Sequence, residues 1–531
     1  MRDDIRGGEA AARRLTVGAA LSDVVDVEDP RAWLGLDSGI RSWFYWLPLP
    51  PTEVAALRHP DALPESRLAL ALCHPDGRIR EAALGAAAGY PGLWPLVVVR
   101  TADWVAPVRE RAREVLRAVL DDVDTAVGLA PLILMGGRRG RGVFAVDLLD
   151  EVLRRAPRER LAPMFTSTDR GVRRFAYRLA VDEGDFSPAV LARAAARDPD
   201  PVVQDLCAEA ALAAIREGGA EGDVLDALLG ARGPRVRSAG VTALRRAGQG
   251  ERAERFLADR AGVVRACARY VVRQVGGDPA AWYRDQCARP DDPALSPGAV
   301  AGLAECGERA DAELLWPLLR HSDPRVRARA VAGLRALDVT DVRRLRALLD
   351  DPAPGVVREA TLALLPFARS LDPEQLTERL GDEWPRHARV AAFRLLDACG
   401  GLVRLRAAAS LLDDPDVRLR EWAGASVRGW QATADVPRGS AEVVELLAPG
   451  RQPDRERLLS GGDRSQVGIE AEPLLVRGGG HAACARAAAG QGAPAERARP
   501  VPGRHRSRAF DGLRRWSRCL PRGGSCPGSG W

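Results

Sequence analysis

Lysine and asparagine are absent from all 531 residues, so the 78 basic side chains are arginines throughout. Alanine, arginine and glycine dominate instead, the bias of a very GC-rich bacterial gene. Arginine abundance is therefore poor grounds for nucleic-acid binding. Cysteine is sparse and scattered, at Cys73, Cys207, Cys267, Cys287, Cys306, Cys399, Cys484, Cys519 and Cys526. No CxxC pair or nearby histidine sets a metal spacing, and the odd count suggests no disulfide framework. Cys267 falls within a helical stretch and reads as a buried thiol. The six histidines form no HExxH or zinc constellation. There is no GxSxG elbow, and no GxGxxG stands between a strand and a helix. No run approaches the ~20 apolar residues that span a bilayer. The opening Met1-Arg2-Asp3-Asp4 puts acids where a signal peptide has bases. These absences lead us to expect a non-enzymatic cytoplasmic protein without cofactor, metal or membrane partner.

What is present is a period. Val264, Leu295, Val326, Val357, Ala388 and Leu419 stand 31 residues apart. Four residues after each come Ala268, Ala299, Ala330, Thr361, Ala392 and Ala423; eight after come Val272, Leu303, Leu334, Leu365, Leu396 and Val427. Positions i, i+4 and i+8 share one helix face, so six helices present the same apolar stripe at a fixed interval. A looser register continues upstream through Ile79, Val108, Phe144, Val172, Val202 and Val236, giving about twelve copies.

The copy spanning 311–337 divides at His321-Ser322-Asp323-Pro324. Asp323 suits an N-cap and Pro324 a first helical residue, whose missing amide proton would go unpaired anyway. Related starts are expected at Asp198-Pro199, Asp351-Pro352 and Asp414-Pro415. The preceding helix often carries a proline, as at Pro95, Pro131, Pro163 and Pro317, expected to kink or start it without ending it. Two short helices cannot bury their apolar faces alone; stacked pairs make one continuous core.

Asp323-Pro324-Arg325-Val326-Arg327-Ala328-Arg329-Ala330, with a proline in the helix before it, resembles HEAT repeats of the short bacterial type also seen in phycobilisome-lyase-like proteins. The resemblance covers roughly residues 60 to 448. It implies an all-α, right-handed α-solenoid of about twelve helical hairpins. It also implies a role for the arginine that recurs at Arg80, Arg109, Arg173, Arg237, Arg265, Arg327, Arg358, Arg389 and Arg420: in such arrays it tends to pair with a turn aspartate of a neighbouring copy and hold the stack in register. The alternative for these arginines is a track for a polyanion. Copies without the arginine, at Val202-Val203 and Leu295-Ser296, interrupt the ladder.

Charge is uneven along the chain. Residues 449–531 hold 15 arginines against 7 acids, a balance of +8, which leaves −2 for the rest. A near-neutral body argues against a scaffold wrapped on a duplex, and leaves room only for a local basic patch. The register fails past the last copy, where 450, 454 and 458 are Gly450, Asp454 and Leu458. The tail from 449, rich in Gly, Arg, Ala and Pro, reads as disordered. Two origins fit it: a basic arm contacting nucleic acid or acidic proteins, or a frameshift product that resequencing would expose.

Residues 1–59 are expected to cap the array. Trp33, Trp43, Phe44, Tyr45 and Trp46, followed by Pro48, Pro50 and Pro51, read either as aromatics covering the first repeat or as an exposed partner anchor. The run Gly136-Gly137-Arg138-Arg139-Gly140-Arg141-Gly142 is the candidate anion contact, through Arg138, Arg139 and Arg141, or else an exposed inter-helix loop. The function these features suggest is a non-catalytic scaffold that binds a protein partner on the concave face of the solenoid. The alternatives are a nucleic-acid-binding protein resembling the HEAT-like DNA glycosylases and a subunit resembling bilin lyases. For the first, Trp104, Trp282, Trp384 and Trp422 are the aromatic candidates; core packing is the competing role.

Overall fold

In the computed structural model the described residues are 2–44, 56, 63–138, 140–213, 215, 222–433, 436–437 and 439–447. The tail from 449, Arg139, Tyr45, Trp46, Pro48, Pro50 and Pro51 lie outside them, as do the side chains of Trp43 and Phe44. Among the described residues there are helices and turns and no strand.

The copy around Asp323 shows how sequence becomes structure. The Asp323 carboxylate accepts the Arg325 amide at 2.8 Å, and the helix Pro324–Ala336 starts with proline in its first turn. Val326, Ala330 and Leu334 are fully buried on one face. The helix stops where Asp338 turns left-handed (φ 56°), the position glycine fills in other copies at Gly184, Gly248 and Gly276. Before it, Ala312–Leu315 and the 3-10 turn Pro317–Arg320 form the first element of the pair. Pro317 therefore ends that α-helix, whereas Pro95 and Pro163 begin theirs and Pro131 sits inside Val123–Gly136.

Twelve second helices of this kind follow one another among the described residues, from Gly77–Ala87 to Val417–Arg428. They lie side by side: Pro297–Cys306 packs on Pro324–Ala336, that on Pro354–Leu364, and that on Arg386–Cys399. First elements cover one side of each. The fold is an α-solenoid of HEAT-like helix pairs.

Several boundaries differ from the sequence reading. At Asp198-Pro199, Asp351-Pro352 and Asp414-Pro415 the helices begin two residues later than expected, at Pro201, Pro354 and Val417. In two upstream copies the buried stripe is shifted by one residue. Ala145, Leu149 and Leu153 are buried in place of the Phe144 series, and Val203, Cys207 and Ala211 in place of the Val202 series. Val202 is 40% exposed, while Phe144 lies beneath the guanidinium groups of Arg113 and Arg117. Two adjacent apolar residues look alike in sequence; the cap decides between them, because the inward residue falls at the third helical position. Asp200 caps Val203 just as Asp169 caps Val172 and Asp416 caps Leu419. Leu295 is buried but precedes its helix, Pro297–Cys306. The α-helix Pro354–Leu364 gives way to a 3-10 turn at Leu365.

The core is also not continuous. One buried cluster runs from Ala11 to Leu179 and another from Leu191 to Val443. Polar and aromatic contacts bridge the gap. Arg174 holds Asp200 with two bonds of 2.9 and 2.8 Å, and Phe165 stacks on both Tyr177 and Phe186 at 5.0 Å. At the N-terminal end, Arg2–Thr16 packs on Pro30–Phe44 and on Glu65–Leu72, and Trp33 is buried with its indole N–H on the Val27 carbonyl at 3.2 Å.

Candidate functional site

The recurring arginines occupy a shared setting. Arg80 is fully buried; its Nε and Nη2 donate to Asp103 of the next copy at 3.0 and 2.8 Å, and its Nη1 donates to the His74 and Pro75 carbonyls of its own turn at 2.7 Å. Arg173 reaches Asp198 at 3.1 and 3.4 Å, Arg237 reaches Asp259 at 2.9 Å twice, and Arg327 reaches Asp351 at 2.8 Å twice. Arg389 is joined to Asp414. The acceptor is always the aspartate two residues before the position that caps its helix. The same carboxylate also takes an amide proton two residues on: Val105, Asp200, Ala261, Ala353 or Asp416. This double duty explains the late helix starts, because an Asp-Pro aspartate engaged with the preceding copy cannot also cap its own helix.

Other positions break the pattern. Among the described residues Arg109 and Arg420 hydrogen-bond turn carbonyls, Asp103 at 2.9 Å for Arg109 and Pro415 at 3.1 Å for Arg420, besides the Asp414 carbonyl, and Arg109 pairs with Glu110 of its own helix at 3.4 Å. Arg358 bonds Glu359 of its own helix at 2.8 Å. Gln204 stands at the ladder position in the Val203 copy and donates to the Asp198 carbonyl at 2.7 Å, matching one of the arginine bonds without reaching the next copy. In the copy at Leu295 the position two residues before the cap is Ala294 rather than an aspartate, and Arg265 turns to Glu305, 40 residues away, which also accepts from Arg269 at 2.7 Å. Tyr283 strengthens this joint: fully buried, its hydroxyl donates to the Leu257 carbonyl at 2.9 Å.

Asp103, Asp259, Glu305 and Tyr283 were not singled out from sequence; for the two aspartates, their place two residues before the cap is the signal that marks them. The densest cluster was equally hidden. Around Asp103 three guanidiniums, those of Arg41, Arg80 and Arg100, meet two carboxylates among the described residues, Asp37 and Asp103. Two buried N–H groups there, Arg41 Nη1 and Arg100 Nε, have no partner among the described residues. Burial pushes the Asp37 carboxyl up, Arg41 only partly opposing it.

Two carboxylates of the joints, Asp259 and Glu305, shift the opposite way. For Asp259 burial acts upward, but the bonds from Arg237 and the Ala261 amide outweigh it; for Glu305 the bonds from Arg265 and Arg269 do the same. Both lie below their ordinary values of 3.8 and 4.5. A lowered folded pKa stabilises the fold above the unfolded value and loses that contribution as pH falls through the folded one. Urea unfolding midpoints should therefore be flat from pH 7 to about 5 and fall below about 4.5. A midpoint unchanged at pH 3 would contradict this.

The aromatic candidates separate. Trp282 and Trp422 pack against the core, Trp282 with its indole on Glu254 at 3.1 Å, and Trp384 lies under Arg379. Trp104 is not a core residue: it is 61% exposed, with Arg41 and Arg80 over its ring at 4.8 and 4.9 Å. Arg138 and Arg141 are exposed, and their side chains hydrogen-bond no described residue. The loop closes tightly because Gly142 has no side chain; a Cβ there would lie 2.2 Å from the Gly136 carbonyl oxygen. Cys267 is half-buried rather than buried, whereas burial raises Cys207 and Cys287 to about 12. Among the described residues no three His, Cys, Asp or Glu side chains are grouped to hold a metal, and no helix is long and apolar enough to cross a membrane.

The layers differ in charge, which overall composition conceals. The seven second helices from Pro234–Arg246 to Val417–Arg428 carry 18 arginines and 4 acids. The elements before, between and after them, Gly222–Leu229 to Ala441–Leu447, carry 11 arginines and 12 acids. The five earlier second helices carry 12 arginines and 10 acids. The near-neutral body is thus strongly polarised over its second half.

No protein-family model matches the chain, and no curated protein matches it. Among solved structures, 104 chains match. One is an engineered protein, 18% identical over 79% of this chain and 98% of its own, with a TM-score of 0.21. Another is Kap121p, 12% identical over 79% of this chain, with a TM-score of 0.24; the chain spans 48% of its length. A third, from a study of tubulin recruitment by microtubule polymerases with TOG domain arrays, is 11% identical over 75% of this chain and 98% of its own, with a TM-score of 0.21.

Proposed function

We propose that this chain is a non-catalytic scaffold that binds a protein partner along the concave face of its solenoid. The observation that carries the reading is the layered array: twelve adjoining second helices covered on one side by first elements. Such a stack offers an extended surface whose side chains vary while the backbone repeats. The reading takes the repeats as the short bacterial HEAT type, on the Asp323–Ala330 motif, and places the protein in the cytoplasm. Residues 1–59 act as the cap, 60–448 as the array. The paired arginines act as a structural ladder, since their donors are already used within the protein.

The excess of arginine on the later second helices favours one competitor, nucleic-acid binding. Capture from a lysate of the source organism with the tagged full chain, with and without nuclease, separates the two. A discrete protein retained after nuclease, identified by mass spectrometry, is the expected result. Loss of all bound material on nuclease treatment would overturn the scaffold reading.

A further inference from the structure

Resting on that scaffold reading, we propose that the open face of the second helices between residues 234 and 428 is a docking track for an extended acidic protein segment. Most charges on this layer are already spent. Arg237, Arg265, Arg269, Arg327 and Arg389 are tied to carboxylates at the joints, and three of the four acids are engaged: Glu305 with Arg265 and Arg269, Glu359 with Arg335 and Arg358, and Asp397 with Arg404. What remains is positive. Arg273, Arg329 and Arg418 are exposed and Arg394 half-exposed, and none of their side chains forms a hydrogen bond or ion pair with a described residue. Arg245 and Arg246 are exposed as well and use one bond each, to the Tyr270 hydroxyl and the Leu212 carbonyl.

The spacing of these charges selects the ligand. Packed helices lie about 8–10 Å apart, and an extended chain advances about 3.3 Å per residue. A carboxylate at roughly every third residue would meet one helix after another. A duplex presents one charge per about 1.7 Å of axis, far denser than a few free arginines spread over seven helices. The helix Pro297–Cys306 carries no arginine and Pro354–Leu364 only Arg358, which is tied to Glu359; both leave gaps that a continuous phosphate row would not tolerate well. An acidic peptide can place neutral residues there.

Fluorescence anisotropy of the full chain with a labelled (Gly-Ser-Glu)7 peptide tests this. Three comparisons accompany it: (Gly-Ser-Gln)7, a peptide of equal composition with its seven glutamates in one block, and a 21-nucleotide DNA single strand and duplex. The spaced peptide should bind at least 5-fold tighter than the blocked one. The variant R273Q/R329Q/R394Q/R418Q, which breaks no described contact, should weaken it at least 10-fold and leave the circular-dichroism spectrum unchanged. The basic tail is identical in both proteins, so the difference belongs to the track. Equal binding of spaced and blocked peptides, an unaffected variant, or DNA binding 10-fold tighter than the spaced peptide would each overturn the proposal. If the peptides fail while capture still yields a nuclease-resistant protein, the scaffold stands and only the acidic track falls.

Discussion

Asp103→Ala is expected to destabilise the first copies of the array by about 3–5 kcal/mol, the usual cost of removing one partner from a buried ion pair. The loss should be large here because Asp103 is buried and shared: Arg80 and Arg100 both donate to it, and it takes the Val105 amide. Its removal leaves three guanidiniums with Asp37 alone. Asp103→Asn keeps an acceptor for the amide and should cost less than the alanine change. Since a stack is stabilised by neighbour contacts, hydrogen exchange should speed up over residues 65–120 and stay unchanged beyond 300. Uniformly faster exchange throughout the array would show that the cluster is not local.

Tyr283→Ala is expected to cost about 3–5 kcal/mol, in the range for deleting a buried aromatic ring. The ring fills space that exists only because residue 302 is glycine; a Cβ there would fall 2.2 Å from the ring. Its hydroxyl ties Leu257 to the next copy at the joint where Ala294 stands in place of the ladder aspartate. Tyr283→Phe removes the hydroxyl, with its bonds to Leu257 and Arg269, while keeping the ring, and should cost about 1–2 kcal/mol. Chemical denaturation of both variants separates packing from hydrogen bonding. Equal losses would place the whole effect in the hydroxyl.

Much of the array is legible in the sequence. Asp323, Pro324 and the Val326, Ala330, Leu334 stripe read correctly because cap, proline and period agree on one local answer. Errors arose where local cues tie. Val202 and Val203 are equally apolar neighbours, and Phe144 looks more buried than Ala145 although the alanine faces inward. Asp198, Asp351 and Asp414 looked like caps because Asp-Pro is a cap motif; the preceding copy's arginine claims them instead.

The sequence by itself determined the helical class, the period and, where cap and stripe agree, the helix faces, because these depend on residues three to eight positions apart. It also determined the total charge. Only the tertiary structure decided which partners the arginines take, 22 to 40 residues away, and where the core divides. Only the stacking sorts charge between layers, since a near-neutral sum along the chain says nothing about which side of the stack each residue faces.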